Sequence, residues 1–297
     1  MPKLLLLANK MIHNESEIET SHGKFLHYYL AAVDSTNSYA MNLLRGAPEK
    51  FKGETGFLVT TSEQTSGRGQ RGNLWSSSTD LDVAMSWVVL QPPKVGAAVF
   101  NMAAALATGK GIRKAIEEVG KVELPCAALA VKWPNDVFLW HNGDYRKVSG
   151  ILVENHWRGE NWTASVVGIG VNAMSRRVSK AYNAVSVSEV VNVDINPSEI
   201  EKRILEFLLD YLKMLGQSEG AGGDFSSGAK SIAREFNSEL YGHDELREFE
   251  VDGKNYLGKL KGVDENGMGE FEWQDENHPP KKLHSSEVKW IFGLHSL

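Results

Sequence analysis

The chain reads as an α+β protein, a mixed sheet packed with helices and followed by a small all-β domain. Three observations lead there. Short runs rich in β-branched and aromatic residues, such as GFLVTT (Gly56 to Thr61) and DVAMSWVVL (Asp82 to Leu90), have the character of buried strands. Two stretches, one after Pro92-Pro93 and one after Pro197, repeat apolar residues at helical spacing. From about Arg247 the texture changes to short alternating segments. These carry Asp252-Gly253 and Asn266-Gly267 turns and the aromatics Phe249, Tyr256, Phe271, Trp273 and Trp290. A length of 297 residues suits two units of unequal size. The reading divides the chain into a leader of uncertain structure (1–24), a large domain (25–245) and a small one (246–297).

Composition narrows the functional classes. A formal net charge of -6 argues against nonspecific coating of nucleic acid, so an anion site has to be a local basic patch. Cys126 is the only cysteine, which rules out an intramolecular disulfide and a cysteine-based zinc site; it reads as a small buried apolar residue in a protein of a reducing compartment. The apolar run Leu4 to Ala8 is too short for a signal peptide or a membrane span, and Glu15, Glu17 and Glu19 argue against a transit peptide. A cytoplasmic protein is expected, with no membrane contact, and the run itself reads as an added strand.

In chain order, DSTNSYAMNLLRG from Asp34 opens a helix on polar capping residues and ends it at Gly46 as a C-cap. Plain N-capping accounts for Ser35, Thr36 and Asn37, although a helix N-terminus also suits a carboxylate or phosphate. After Pro93, the positions Val99, Met102, Leu106, Ile112, Ile116 and Val119 form a core-facing helical stripe. VKWPNDVFL reads as a strand that Pro134 confines to an edge or bulge, and HNGD (141–144) as a hairpin turn. The return strand carries KVSGILVEN and a third carries NWTASVVGIGVN. If antiparallel, the three bring Lys132, Asn135, Asp136, Lys147 and Asn172 into one neighbourhood. Ser198 and Glu201 have the spacing of a capping box ahead of an amphipathic helix with Ile200, Ile204, Leu208, Tyr211 and Leu215. The loop SEGAGGDFSSGAKS then places Gly223, Gly228, Lys230 and Ser231 one residue out of register with a P-loop, and a helix rather than a strand precedes it, so that reading is rejected.

The most chemically loaded stretch is SEQTSGRGQRGNLW, Ser62 to Trp75. Gly67, Gly69 and Gly72 permit positive φ and let backbone N–H groups approach a ligand. Arg68 and Arg71 add fixed positive charge with bidentate geometry. Alone, the stretch reads equally as a solvated turn or a generic nucleic-acid contact.

Four ordered motifs give it company: DSTN at 34–37, GRGQRGNLW at 67–75, KWPND at 132–136, and KVSGIL at 147–152 followed by GIGVN at 168–172. On these the chain resembles the biotin protein ligases. The resemblance spans about 25–245 and implies the class II aminoacyl-tRNA synthetase-like biotin-lipoate ligase fold, with an SH3-like β-barrel as the small domain. It also implies the reaction, in which biotin and ATP form biotinyl-5′-adenylate and a lysine of a biotin carboxyl carrier domain then takes the biotin. Biotin would be held by Ser35, Thr36, Asn37, Gln64, Gly67, Arg68, Gly69, Lys147 and Gly150. The nucleotide would be held by Arg68, Arg71, Trp75 (stacked on adenine), Lys132, Asn135, Lys147 and Asn172. Lys147 and Arg68 would neutralise charge as two anions are forced together, and Asp136 would orient or deprotonate the incoming lysine. Mg²⁺ is expected with ATP, without a ligand legible in the sequence. A homodimer is compatible with the resemblance. Too few residues precede the catalytic region for a DNA-binding winged helix, so no DNA partner is expected.

One departure stands inside the loop: the family pattern G-R-G-R-x-G has an arginine where this chain has Gln70, which puts adenylate retention in question unless Arg71 or another cation compensates. A lipoate or octanoyl ligase or transferase of the same superfamily shares a comparable lysine but lacks the pairing of GRGxRG with KWPND. A nucleic-acid-binding module is disfavoured by the acidic net charge and the single basic loop.

Overall fold

The computed structural model describes residues 12–176, 183–216, 227–275 and 278–292. The Leu4 to Ala8 run and Gly223 lie outside them. An eight-stranded sheet runs in the order β1-β2-β3-β6-β10-β9-β8-β7. Its strands are β1 (Ile12–Thr20), β2 (Gly23–Val33), β3 (Gly56–Gln64), β6 (Val83–Leu90), β7 (Leu129–Lys132), β8 (Asp136–His141), β9 (Asp144–Arg158) and β10 (Asn161–Val171). Between β3 and β6, the two-residue strands β4 (Gly67–Arg68) and β5 (Leu74–Trp75) pair as a separate ribbon. Only β2 and β3 run parallel, because helix α1 (Thr36–Gly46) carries the chain back between them. The other neighbours in the sheet are antiparallel.

The two faces of the sheet are covered differently. Helices α2 (Ala97–Glu118), α4 (Pro197–Gly216) and α5 (Ser227–Ser238) cover one face, and the short α3 (Val187–Val191) precedes α4. Alternation along β6 sends Val83, Met85, Trp87 and Val89 into that large core, and β10 contributes Val167, Ile169 and Val171. On the opposite face a smaller core joins α1 to Tyr28, Leu30, Phe57, Val88 and Val166, with Phe51 stacked on Phe57 at 4.3 Å. Beyond Val166, the next positions of β10 on that face are Gly168 and Gly170.

The small domain is a five-stranded antiparallel sheet in the order β14-β13-β12-β11-β15, built from β11 (Arg247–Val251), β12 (Lys254–Val263), β13 (Gly269–Trp273), β14 (Lys281–Leu283) and β15 (Val288–Ile291). Asp252 and Gly253 both take positive φ in the β11–β12 turn, as the Asp-Gly pair demands. Its core residues Phe249, Leu260, Phe271, Leu283 and Trp290 belong to the same hydrophobic cluster as the large core. Trp133 joins the two units, with its ring 6.0 Å from Phe271 and its Nε1–H donating to the Gly267 carbonyl at 3.3 Å.

Several local expectations need correcting. Pro134 does not interrupt a strand; it lies in the turn between β7 and β8, which pair from Lys132 with Asp136 onward. Helix α1 closes on Ala47, whose φ of -142° is extended, so Gly46 is its last turn and not its cap. Val119 falls just past α2 and is exposed, while the other five positions of that stripe are buried. Ser198 does not open a capping box: Asn196 Oδ1 accepts from the Ser198 N–H at 3.0 Å and so caps α4, and Ser186 with Glu189 forms a full box on α3 instead. Cys126 is exposed. It opens a tight turn at the surface, where its carbonyl accepts from Arg113 at 2.8 Å. Gly228, Lys230 and Ser231 ride on α5.

Helix α2 crosses α4 closely at Gly111, where an added Cβ would lie 2.6 Å from Ile204 Cα. Backbone cannot yield as a side-chain tip does. Gly111→Ala is therefore expected to cost about 2 kcal/mol by overpacking, read as a lower urea midpoint; an unchanged midpoint would show that the helices part freely.

Candidate active site

The sheet face that α1 leaves uncovered carries a cavity of about 340 Å³. Its floor is the stretch of β9 and β10 where Gly150 pairs with Gly170 and Leu152 with Gly168. These glycines are needed for space. A Cβ on Gly168 would lie 2.2 Å from Asn37 Oδ1, and one on Gly170 would lie 2.3 Å from the Trp75 indole. Asn37 and Trp75 thus sit directly on bare backbone, one from the helix and one from the loop.

Lys147 reaches this face through an irregularity in pairing. On β9, Ser149 opposes Val137 and Lys147 opposes Phe138, so Val148 is an extra residue. That bulge resets the alternation and puts Lys147 on the side of Gly150, whereas strict period-two alternation would put it with Ser149. The backbone there is pinned, with Lys147 N–H donating to Asn183 O and Val185 N–H to Lys147 O, both at 2.9 Å. Its ammonium pairs with Asp136 at 2.7 Å and lies 5.6 Å from the Trp75 ring centroid.

The loop wall comes from residues 64–75. Ser35 caps α1 by accepting from Ser38 N–H, and Gln64 Oε1 accepts from Thr36 N–H at 3.0 Å, so the helix start and the loop are fixed together. Of the loop glycines only Gly72 has positive φ; Gly67 permits close ribbon pairing, since a Cβ there would meet the Trp75 carbonyl at 2.3 Å. Arg71 also takes the left-handed conformation, with φ 56°. Its guanidinium donates to Ser285 Oγ of the small domain at 3.3 Å. Arg68 turns the other way, to Glu154 on β9 at 2.6 Å and to Ser38 Oγ at 3.2 Å. The Asn37 amide donates to the second Glu154 oxygen at 2.9 Å and accepts from the buried Ser86 hydroxyl at 2.6 Å.

Lys132 closes the far end. Its Nζ lies 5.7 Å from the rings of both Trp290 and Phe292, under the small domain. Burial pushes its pKa down, and the Lys147 and Arg71 charges push the same way against the pull of Asp136.

The expected residues Ser35, Thr36, Asn37, Gln64, Arg68, Gly69, Arg71, Trp75, Lys132, Asn135, Asp136, Lys147 and Gly150 all line this one cavity. Gly67 and Asn172 do not. Asn172 is buried behind the floor, its amide donating to the Val185 carbonyl at 3.2 Å. Asn135 is fixed at the cavity edge, its side-chain amide donating to the Ile151 carbonyl while its backbone carbonyl accepts from Ile151 N–H at 3.0 Å. Sequence reasoning missed Gly168 and Gly170, although glycines two apart within a strand signal a close approach. It also missed Ser86, Glu154, and the small-domain residues Ser285, Lys289, Trp290 and Phe292, for which no local signal exists. Gln70 lines the cavity beside Arg71. Among the described residues there is no cluster of three His, Cys, Asp or Glu side chains able to hold a metal ion.

The profile of the biotin/lipoate A/B protein ligase family matches residues 29–172. Over 143 residues the chain is 38% identical to a biotin--[acetyl-CoA-carboxylase] ligase of Paracoccus denitrificans, covering 48% of this chain and 52% of that one. It is 32% identical over 154 residues to the bifunctional ligase/repressor BirA of Escherichia coli K12, covering 51% and 42% respectively. The chain therefore spans about half the length of these relatives. Among solved structures, the biotin protein ligase from Aquifex aeolicus in complex with biotin and ATP shares the fold over 90% of this chain and 99% of its own, with a TM-score of 0.63 at 22% identity. The Leishmania major biotin protein ligase in complex with biotinyl-5-AMP covers 87% of this chain and 98% of its own, with a TM-score of 0.57 at 18% identity.

Gly170→Ala should push the Trp75 indole off the floor. The emission difference between this variant and Gly170→Ala/Trp75→Phe isolates that ring. A red shift relative to the same difference in the parent background is expected, and its absence would mean the indole does not rest on Gly170.

Proposed function

We propose, from the match of residues 29–172 to the biotin/lipoate A/B protein ligase family, that the chain is an ATP-dependent biotin protein ligase acting in the cytoplasm. It would form biotinyl-5′-adenylate and pass the biotin to a lysine of a carboxylase's carrier domain. The observation that carries this reading is the convergence of Lys147, Lys132, Arg68 and Arg71, from three separate motifs, on one cavity.

The chemistry needs that arrangement. A biotin carboxylate oxygen attacks the α-phosphorus of ATP, the bond to pyrophosphate breaks, and two anions have to meet. Lys147 stands on the floor with its ammonium exposed to the cavity, where it can neutralise both reactants as they approach. Asp136 holds that ammonium in place. The same carboxylate is at hand in the second step, in which the carrier amine attacks the acyl carbon, AMP leaves and the amine gives up a proton. Lys132 and Arg71 supply positive charge toward the small domain, which suits the phosphates. The cavity lining offers one carboxylate, Asp136, and it is already paired with Lys147, so the Mg²⁺ expected with ATP finds no protein ligand set there.

Two measurements test the reading. Biotin-dependent exchange of pyrophosphate into ATP should be present and should fall about a hundredfold or more in Lys147→Ala, with little change in melting temperature. Exchange that depends on lipoate instead, or that survives the substitution at the parent rate, would overturn it. Lys132 supplies the second. A lysine whose pKa is lowered loses its charge at a lower pH than usual, so kcat/KM for ATP should decline on the alkaline side below the ordinary lysine range. Lys132→Arg, which stays charged, should move that decline to higher pH. A decline that does not move would remove Lys132 from the phosphate site.

A further inference from the structure

Arg68 is held by a group that none of the ligase motifs accounts for. Glu154 lies on β9 on the same face as Gly150 and Leu152, beyond the floor at the α1 end of the cavity. Its carboxylate is used at both oxygens: one accepts from Arg68 at 2.6 Å, the other from the Asn37 amide at 2.9 Å. Asn37 cannot drift, because Ser86 holds its carbonyl at 2.6 Å and Gly168 lies directly beneath it. Glu154 is therefore a fixed acceptor on a rigid strand, and Arg68 has to extend from the ribbon down to the sheet to reach it. Among the described residues, Arg68–Glu154 is the one ion pair that ties the 67–75 segment to the rest of the molecule. The other side-chain anchors of that segment are the Trp75 ring, packed on Gly170 at its far end, and the hydrogen bonds of Arg71 to Ser285 at 3.3 Å and Arg68 to Ser38 at 3.2 Å, both to uncharged hydroxyls.

We propose that Glu154 is a positioning residue, a latch that acts through Arg68 to hold the glycine-arginine loop closed across the α1 end of the cavity. A segment with three glycines has large conformational freedom when released. A charge-assisted hydrogen bond to an immobile carboxylate is the kind of contact that keeps such a segment down. With the latch made, the loop fences whatever lies on the glycine floor; with it broken, that end opens. Only the identity of the retained ligand rests on the biotin-ligase reading, since the latch is a property of the ligand-free protein.

Trypsin reads the latch, because cleavage after Arg71 needs an extended segment and the held loop keeps Arg71 in a tight turn with φ 56°. In the ligand-free protein, Glu154→Gln should raise the cleavage rate after Arg71 roughly two- to fivefold, the range for a partly exposed ion pair. Cuts elsewhere should keep their parent rates. Arg68→Gln, which removes the other half of the contact, should give the same acceleration, and the double variant should be no faster than either single one. Parent-like cleavage of Glu154→Gln would overturn the proposal. So would equal acceleration at every site, which means global loosening, or accelerations that multiply in the double variant. In a second arm, biotin should dissociate from Glu154→Gln faster than from the parent by a similar factor, and unchanged dissociation counts against the latch. If the parent protein binds no biotin at all, the proposed function falls, and the trypsin arm still decides whether Glu154 holds the loop.

Discussion

Bare backbone at the centre of a sheet is the constraint on which the site depends. Gly150, Gly168 and Gly170 meet on one face of β9 and β10. Strand interiors ordinarily avoid glycine, since it costs conformational entropy and offers nothing to pack. Here the cost is offset by what the missing side chains admit: Asn37 from the helix and Trp75 from the loop both settle on the sheet surface. The same bare patch leaves Lys147 room to lie over it. A Cβ on Gly150 would come within 3.3 Å of the lysine Nζ and 3.1 Å of the Trp75 ring. Helix start, loop and the strand that bears Lys147 therefore meet at one place because no side chain keeps them apart.

Around that floor, charges are arranged in pairs of unequal firmness. Lys147 is matched by Asp136 and Arg68 by Glu154, both by short contacts. Lys132 and Arg71 have no such carboxylate, and Lys132 rests instead against two aromatic rings under the small domain. The cavity is thus nearly neutral toward α1 and positive toward the small domain. An electrically lopsided cleft of this kind orients a ligand that carries most of its negative charge at one end.

Much of this was legible in the sequence where residue identity alone set the local outcome. The strand content of β3 and β6, the Asn142-Gly143 and Asp252-Gly253 turns, and the buried stripes of α2 and α4 follow from periodicity and turn chemistry. The ordered motifs brought thirteen of the fifteen expected residues to one cavity. What escaped depends on register and tertiary contact. The bulge at Val148 decides which face Lys147 serves, and it exists only in the pairing of two strands. Asn172 was assigned to the nucleotide by the resemblance alone; in the structure its side-chain amide braces the Val185 backbone behind the floor, a contact no sequence motif shows. Cys126 was read as buried on the average habit of cysteine, and it stands exposed on a surface turn whose carbonyls Arg113 gathers. Glu154 was invisible because its importance comes from partners 86 and 117 residues away in the chain.

The sharing of one hydrophobic cluster by both units has a thermodynamic consequence. With Trp133 packed on Phe271, and with Trp290 and Phe292 closing over Lys132, the core of the small domain is continuous with that of the large one, so the two are expected to melt together. Any molecule held in the cavity therefore stabilises residues of both units at once, and its binding free energy is felt across the whole chain. The division visible in the sequence texture at residue 247 separates two architectures and leaves a single cooperative unit.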